Sequence, residues 1–286
     1  MLTPKFKIMK NYITIAALVA AGATSANAED IGVTYWDFTS QSGNTISSYT
    51  GDLLDGYTNK NTTAITSTLS NANVSLTDAG LVFGAANTAG VSLEATGNAL
   101  GIAGNGNKTF CITVTKNEDF VYDTTAGNIR AAFVGYSPGN GQGSGVDIRF
   151  GYMNDGKLRA EFNGGGTTAP AATNWAVGEE AVFTLVMAGN SLTVYKDSEQ
   201  IFTGTHSGIN TNGAGKLKVG ANDSAGGILK GVTISSLAVF TEALTAEQVA
   251  SYVNYGVAAA IPEPSAFGLL AGLGALALVG ARRRRK

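Results

Sequence analysis

The sequence predicts an all-β domain with one short helix near its C-terminal end. Three observations predict it. Apolar residues recur in short alternating runs and not at helical spacing. Glycine is abundant, with 38 residues against 5 prolines, and Ser, Thr and Asn fill the gaps between runs, as many turns require. A single segment carries helix signals: Thr245 as N-cap, Gln248 completing a capping box, Ala246 to Tyr255 as the helix and Gly256 as C-cap.

Taken in order, Val33 to Phe38 is the first strand, with Val33 and Tyr35 on one face and Trp36 and Phe38 on the other. Ser40 to Thr77 is polar and weakly patterned, which predicts short edge strands and long loops. Val91 to Leu93 and Ala99 to Ile102 read as short strands, and Phe110 to Thr115, Ile129 to Tyr136, Val146 to Tyr152 and Leu158 to Phe162 as longer ones. Asn154, Asp155 and Gly156 form a hairpin turn between the last two. Ser137 to Gly145 and Gly164 to Gly166 are glycine-rich and predict flexible loops. Neither lies between a strand and a helix, so neither is a phosphate cradle. Ala181 to Met187, Leu192 to Tyr195 and Ile201 to Phe202 form a meander, followed by strands at Leu217 to Gly220 and Val232 to Phe240.

Both ends of the chain carry a different pattern. Lys5, Lys7 and Lys10 precede an apolar run from Ile13 to Ala23, and Ala26-Asn27-Ala28 is a small-x-small cleavage site. Residues 1–28 are therefore an expected signal peptide, with Glu29 as the first mature residue; Met9 is an alternative start with a shorter basic segment. At the other end, Pro262-Glu263-Pro264 is stiff and extended. Ala266 to Ala281 is uncharged, 16 residues that would span about 24 Å as a helix, slightly less than a bilayer core. Arg282, Arg283, Arg284, Arg285 and Lys286 close the chain and should stay on the cytoplasmic side.

These ends disguise the charge of the middle. The formal net charge is −2, but eight of the 19 basic residues and one of the 21 acidic ones lie in the two terminal segments. That leaves 11 cations against 20 anions, a domain near −9 with no basic cluster, which argues against nucleic acid. Cys111 is the only cysteine, so no intramolecular disulfide exists and the core alone must hold the fold. Its strand-like surroundings predict a small buried side chain; as a catalytic thiol it would need His206, the only histidine, as its base.

Pro262, Glu263 and Pro264, the apolar run and Arg282 to Arg285 together resemble the PEP-CTERM sorting signal. The resemblance implies export, recognition by an exosortase that cuts near the motif, and only transient anchoring in the membrane. A second resemblance covers the ordered set Trp175, Gly178-Glu179, Phe183 to Leu185, Leu192 to Asp197, Leu217 to Gly220, Gly231 to Ile234, Leu237 to Phe240 and Leu244 to Glu247. It is similar to laminin G-like, concanavalin A-like domains and implies a two-sheet antiparallel jelly-roll sandwich over about residues 31 to 256. Lys196 and Ser198 stand where that family has valine and glycine, which predicts a longer turn after Asp197. The expected organisation is a signal peptide at 1–28, a sandwich at 29–260 and a sorting signal at 261–286.

That architecture hosts glycan binders, adhesins and glycan hydrolases, so the fold alone does not decide activity. The hydrolases of this fold usually carry a Glu-x-Asp-x-Glu strand, which is missing here. Glu118-Asp119 and Glu179-Glu180 are adjacent pairs, which point to opposite faces of a strand and read as solvated turn charges. Asp147, Arg149 and Asp155 lie on or beside the hairpin with the spacing of an ordinary polar face. Calcium is the one metal to consider, with Asp37, Asp147, Asp197 and Asp223 as conceivable ligands; no other cofactor is implied. Tyr136, Tyr152 and Trp175 could stack on sugars but read first as core. The sequence thus points to an exported, non-enzymatic surface or matrix protein, structural or glycan-binding, whose partners are the export machinery, an exosortase and an exopolysaccharide or other glycan. The alternative is a glycan hydrolase with an atypical site.

Overall fold

The alternating runs do form strands. The computed structural model describes residues 31–50, 53, 57–119, 129, 131–137, 147–162, 165–222 and 227–256. The signal segment 1–28, the sorting segment 261–286, most of the glycine-rich loop after Ser137, and Asp223 lie outside them.

Seventeen strands and two helices are described. They are β1 (Ile31–Asp37), β2 (Thr45–Ser47), β3 (Tyr57–Asn59), β4 (Thr66–Thr68), β5 (Val74–Thr77), β6 (Gly80–Phe83), β7 (Val91–Thr96), α1 (Gly97–Leu100), β8 (Lys108–Lys116) and β9 (Ala131–Ser137). There follow β10 (Ile148–Tyr152), β11 (Leu158–Phe162), β12 (Gly165–Thr168), β13 (Glu180–Ala188), β14 (Ser191–Lys196), β15 (Glu199–Thr205), β16 (Lys216–Val219), β17 (Val232–Phe240) and α2 (Ala246–Tyr255).

A nine-stranded sheet runs β15-β14-β13-β8-β17-β1-β3, with β6 on the remaining part of β17 and β5 outside β6. A six-stranded sheet runs β12-β11-β10-β9-β16-β7, and β2 and β4 form a separate ribbon. The pairs are antiparallel except for β1 with β3. The two sheets pack face to face as a jelly-roll sandwich, and Ile31–Ala260 form one compact unit. Phe133 of β9 stacks on Phe183 of β13, centroids 4.5 Å apart, which joins the sheets at their centre. Trp36 and Phe38 enter this core, while Val33 lies on the opposite face opposite Phe240, as the alternation predicts.

The outer face of the large sheet carries a row of paired residues: Tyr35, Ala238, Cys111, Thr184 and Tyr195. Its middle members are small, which leaves room for α2. Tyr252 and Val249 of α2 are buried against this face, with the Tyr252 ring 6.0 Å from Phe240. The helix starts where the sequence places it: Thr245 and Gln248 form the full capping box.

Three local expectations change. Ala99 to Ile102 is not a strand. Thr96 caps a helical turn by accepting from Ala99 N, and Gly101 ends it at φ 71°, a conformation open to glycine. Gly165 and Gly166 are not loop but the start of β12. A Cβ on Gly166 would lie 2.6 Å from the Ala160 carbonyl, so this close pairing needs glycine. The turn after Asp197 is short, not long. Asp197 itself takes the left-handed conformation, φ 54°, and its carboxylate accepts from Val182 N at 2.9 Å.

Candidate functional site

The β10–β11 hairpin positions the densest group of charged side chains. Its turn uses Gly156 at φ 76°, and the register pairs Tyr152 with Leu158, Gly151 with Arg159 and Arg149 with Glu161. Since Ile148, Phe150, Leu158, Ala160 and Phe162 face the core, Arg149, Arg159 and Glu161 must face outward. β12 extends the same row, setting Thr168 beside Arg159 and Gly166 beside Glu161.

The side chains form one continuous network. Arg149 donates to Asp147 Oδ2 at 2.8 Å and to Glu161 Oε1 at 3.0 Å. Arg159 donates to Glu161 Oε2 at 2.8 Å and to Thr168 Oγ1 at 2.7 Å. Asp147 is 3% exposed and Glu161 8% exposed, so these are substantially desolvated pairs. Each oxygen of Glu161 is held by a different guanidinium, and the Arg149 guanidinium bridges Asp147 and Glu161. A glycosidase pair needs two carboxyl groups facing across a space open to the sugar. Here an arginine joins the two acids, and the network is a rigid hydrogen-bonding surface.

The outer row continues past Gly135 to Lys218 and Ser92. A Cβ on Gly135 would come 2.4 Å from the Ala221 carbonyl, so the chain leaving β16 crosses the sheet there. On the far side of that crossing, Lys216 pairs with Glu94 on β7, the edge strand.

The other candidates are dispersed. Asp155 does not join Asp147 and Arg149; it pairs with Lys157 at the hairpin tip, 3.1 Å away. Cys111 is fully buried, accepts weakly from Thr184 Oγ1 at 3.5 Å, and burial pushes its thiol up to about 12. His206 lies elsewhere, its ring 4.9 Å from Phe162, so a Cys111–His206 pair is ruled out. Tyr136, Tyr152 and Trp175 are all core residues: Tyr152 and Trp175 stack 6.0 Å apart within the aromatic cluster. Glu179 accepts from Lys196 and from Ala176 N, and that lysine holds its carboxyl below the usual range. Asp119 pairs with Lys116 at 3.1 Å.

Of the conceivable calcium ligands, Asp37 caps its own turn through Thr39, Asp147 pairs with Arg149, and Asp197 accepts from Val182 N. Among the described residues no three His, Cys, Asp or Glu side chains converge, and no helix is long and apolar enough to cross a membrane. Sequence reasoning passed over Arg159, Glu161 and Thr168. The signal was available: Arg159-Ala160-Glu161 alternates, and the hairpin turn folds it back onto Arg149.

Two apposed antiparallel sheets closed by one helix define a jelly-roll sandwich, and the comparisons specify it. The family model of the concanavalin A-like lectin/glucanases superfamily matches residues 120–250, and the PEP-CTERM protein-sorting motif matches residues 260–285. The chain thus carries a concanavalin A-like domain followed by a sorting motif that marks an exported protein, transiently anchored and then processed at the cell surface. No curated protein matches it.

Among solved structures, Trypanosoma rangeli sialidase with 2,3-difluorosialic acid is 15% identical with a TM-score of 0.51, covering 77% of this chain and 32% of that one. The same enzyme with the inhibitor DANA is 14% identical with a TM-score of 0.51 over the same shares. A mutant of NanB sialidase from Streptococcus pneumoniae is 16% identical over 58% of this chain and 26% of that one, with a TM-score of 0.43. The chain spans about a third of the length of the T. rangeli enzymes, and at this identity the likeness concerns fold alone.

Proposed function

We propose that the mature chain is a non-enzymatic module of the cell surface or extracellular matrix that binds glycan or serves structurally. The observation that carries this reading is Arg149 bridging Asp147 and Glu161. It leaves the outer face of the six-stranded sheet rich in fixed hydrogen-bonding groups, and it engages both acids of the network in ion pairs. The acidic middle of the chain keeps such a module soluble and away from nucleic acid.

Processing belongs to the same proposal. Cleavage after Ala28, set by Ala26 and Ala28, releases the N-terminus. Pro262, Glu263 and Pro264 present the exosortase site, and Arg282, Arg283, Arg284 and Arg285 hold the apolar run at the membrane until it is cut. The mature domain then spans about residues 29–260.

The test is a glycan array probed with and without calcium, alongside release of reducing ends from every glycan that binds. Binding without turnover supports the proposal. Turnover that Glu161→Gln or Asp147→Asn abolishes would replace it with the hydrolase reading. Absence of binding to all glycans leaves the structural role alone. Intact mass of the envelope-associated protein checks processing: a chain still ending at Lys286 refutes exosortase handling.

A further inference from the structure

β7 is an edge strand with an unusual neighbour. One side pairs with β16, and the other faces β4 across a single described hydrogen bond, from Glu94 N to Ser67 Oγ at 2.8 Å. Beside that contact a groove of about 350 Å³ opens. Thr66, Thr68, Ser70, Asn71, Ser92 and Glu94 line it, over the buried side chains of Leu69 and Val91. The polar stretch that reads in the sequence as edge strands and loops therefore builds one wall, and β7 builds the other.

The walls are held in place. Asn71 donates to Asn87 Oδ1 at 2.9 Å and to Ala89 O at 2.6 Å, and accepts from Asn73 N at 3.0 Å. Asn87 is buried and donates in turn to Leu229 O at 2.9 Å. The backbone of β4 is tied at both ends, Ser48 N to Ile65 O at 3.0 Å and Leu69 N to Asn44 O at 2.7 Å. By contrast, the hydroxyls of Thr68, Ser70 and Ser92 have no protein partner among the described residues. Each can both donate and accept. The one charged group in the lining, Glu94, is neutralised by Lys216. An apolar floor, rigid walls, free hydroxyls and no net charge match a sugar ring, with its C–H face and its ring of hydroxyls.

We propose that the groove between β4 and β7 is a subsite for one or two rings of a neutral glycan. The hydroxyls of Thr68, Ser70 and Ser92 exchange hydrogen bonds with the sugar, and Glu94 accepts from it. This rests on the glycan-binding reading above and assigns that reading to a place away from the Arg149 network. Since no aromatic among the described residues lines the groove, affinity per ring is low and binding to a long polymer is multivalent.

Titration calorimetry on the full chain tests it, in a polyoxyethylene detergent that carries no sugar headgroup. The probes are the neutral tetramers of β-1,3- and β-1,4-linked glucose, with tetragalacturonate as the acidic control. The variants are Thr68→Val with Ser92→Ala, which keep strand shape and remove two hydroxyls, and Thr68→Trp, which fills the groove. The expected result is binding of a neutral tetramer that the double variant weakens about tenfold or more and the tryptophan abolishes, with melting temperature unchanged. Neutral binding that both variants leave intact overturns the groove assignment. So does binding of tetragalacturonate alone. Array binding that survives while neither neutral tetramer binds overturns the groove and spares the wider reading; loss of both overturns the two together.

Discussion

Lys108 offers the sharpest test of the packing. It sits at the start of β8 with no accessible surface, and no carboxylate pairs with it among the described residues. Its ammonium donates to Gly104 O and Thr211 Oγ1, each at 2.9 Å, joining two loops that also meet through the Gly104–Thr211 bridge. Burial lowers its pKa from 10.5 to about 8. Between those values the unfolded chain binds more protons than the folded one, so stability rises with pH. At about 1.4 kcal/mol per unit the ceiling is about 3 kcal/mol, fully gained only above the unfolded value. The assay is urea unfolding of wild type and Lys108→Met at pH 7, 8.5 and 10.5. Tyr35, Tyr136, Tyr195 and Tyr252, all raised chiefly by burial, pull stability the other way at the alkaline end, but they are common to both proteins and cancel in the difference. The wild type should gain about 2–3 kcal/mol on the variant from pH 7 to 10.5. A flat or falling difference would show that the ammonium is adequately solvated and would refute the argument.

Three further outcomes follow from the same geometry. Arg149→Met removes the guanidinium that joins Asp147 to Glu161, while Arg159 still holds Glu161, and should cost about 2–3 kcal/mol in urea unfolding at pH 7, at or below the lower end of the usual range because Arg149 is 23% exposed and Glu161 keeps one partner; a loss under about 1 kcal/mol would mean solvent screens the network. Tyr252→Ala should cost about 3–5 kcal/mol by thermal unfolding, since it empties the space over Cys111 and Ala238, whereas Thr245→Ala removes only a cap and should cost about 1 kcal/mol. Cys111, pushed up to about 12 by burial, should resist iodoacetamide at pH 8 until the chain is unfolded, as read by intact mass; rapid labelling of the native protein would show that α2 opens readily.

Much of the sandwich can be read from local rules because those rules depend on near neighbours. The faces of β1, the β10–β11 turn and the capping box at Thr245 need only period two or a four-residue motif. What escaped depends on residues far apart in the chain. Gly166 is a strand residue because the Ala160 carbonyl presses on it, and no local pattern distinguishes it from a flexible glycine. Asp197 takes the left-handed turn conformation while Val182 N, fifteen residues away, holds its carboxylate. The groove is the extreme case: Thr66 and Thr68 meet Ser92 only when the polar ribbon of β2 and β4 docks at the β7 edge.

That docking also bears on why the stretch from Ser40 to Thr77 is so polar. An uncovered edge strand invites pairing with another chain. A ribbon of short strands laid beside β7 blocks that edge without extending the sheet, since among the described residues only Ser67 Oγ of the ribbon bonds to it. Full pairing would fill the groove with backbone, and an apolar ribbon would bury it. A Ser- and Thr-rich ribbon held by Asn71 and Asn87 guards the edge and leaves a hydroxyl-lined slot. Edge protection and ligand binding then make the same demand on this segment, and the low hydrophobicity that hides its strands from pattern reading is the property both require.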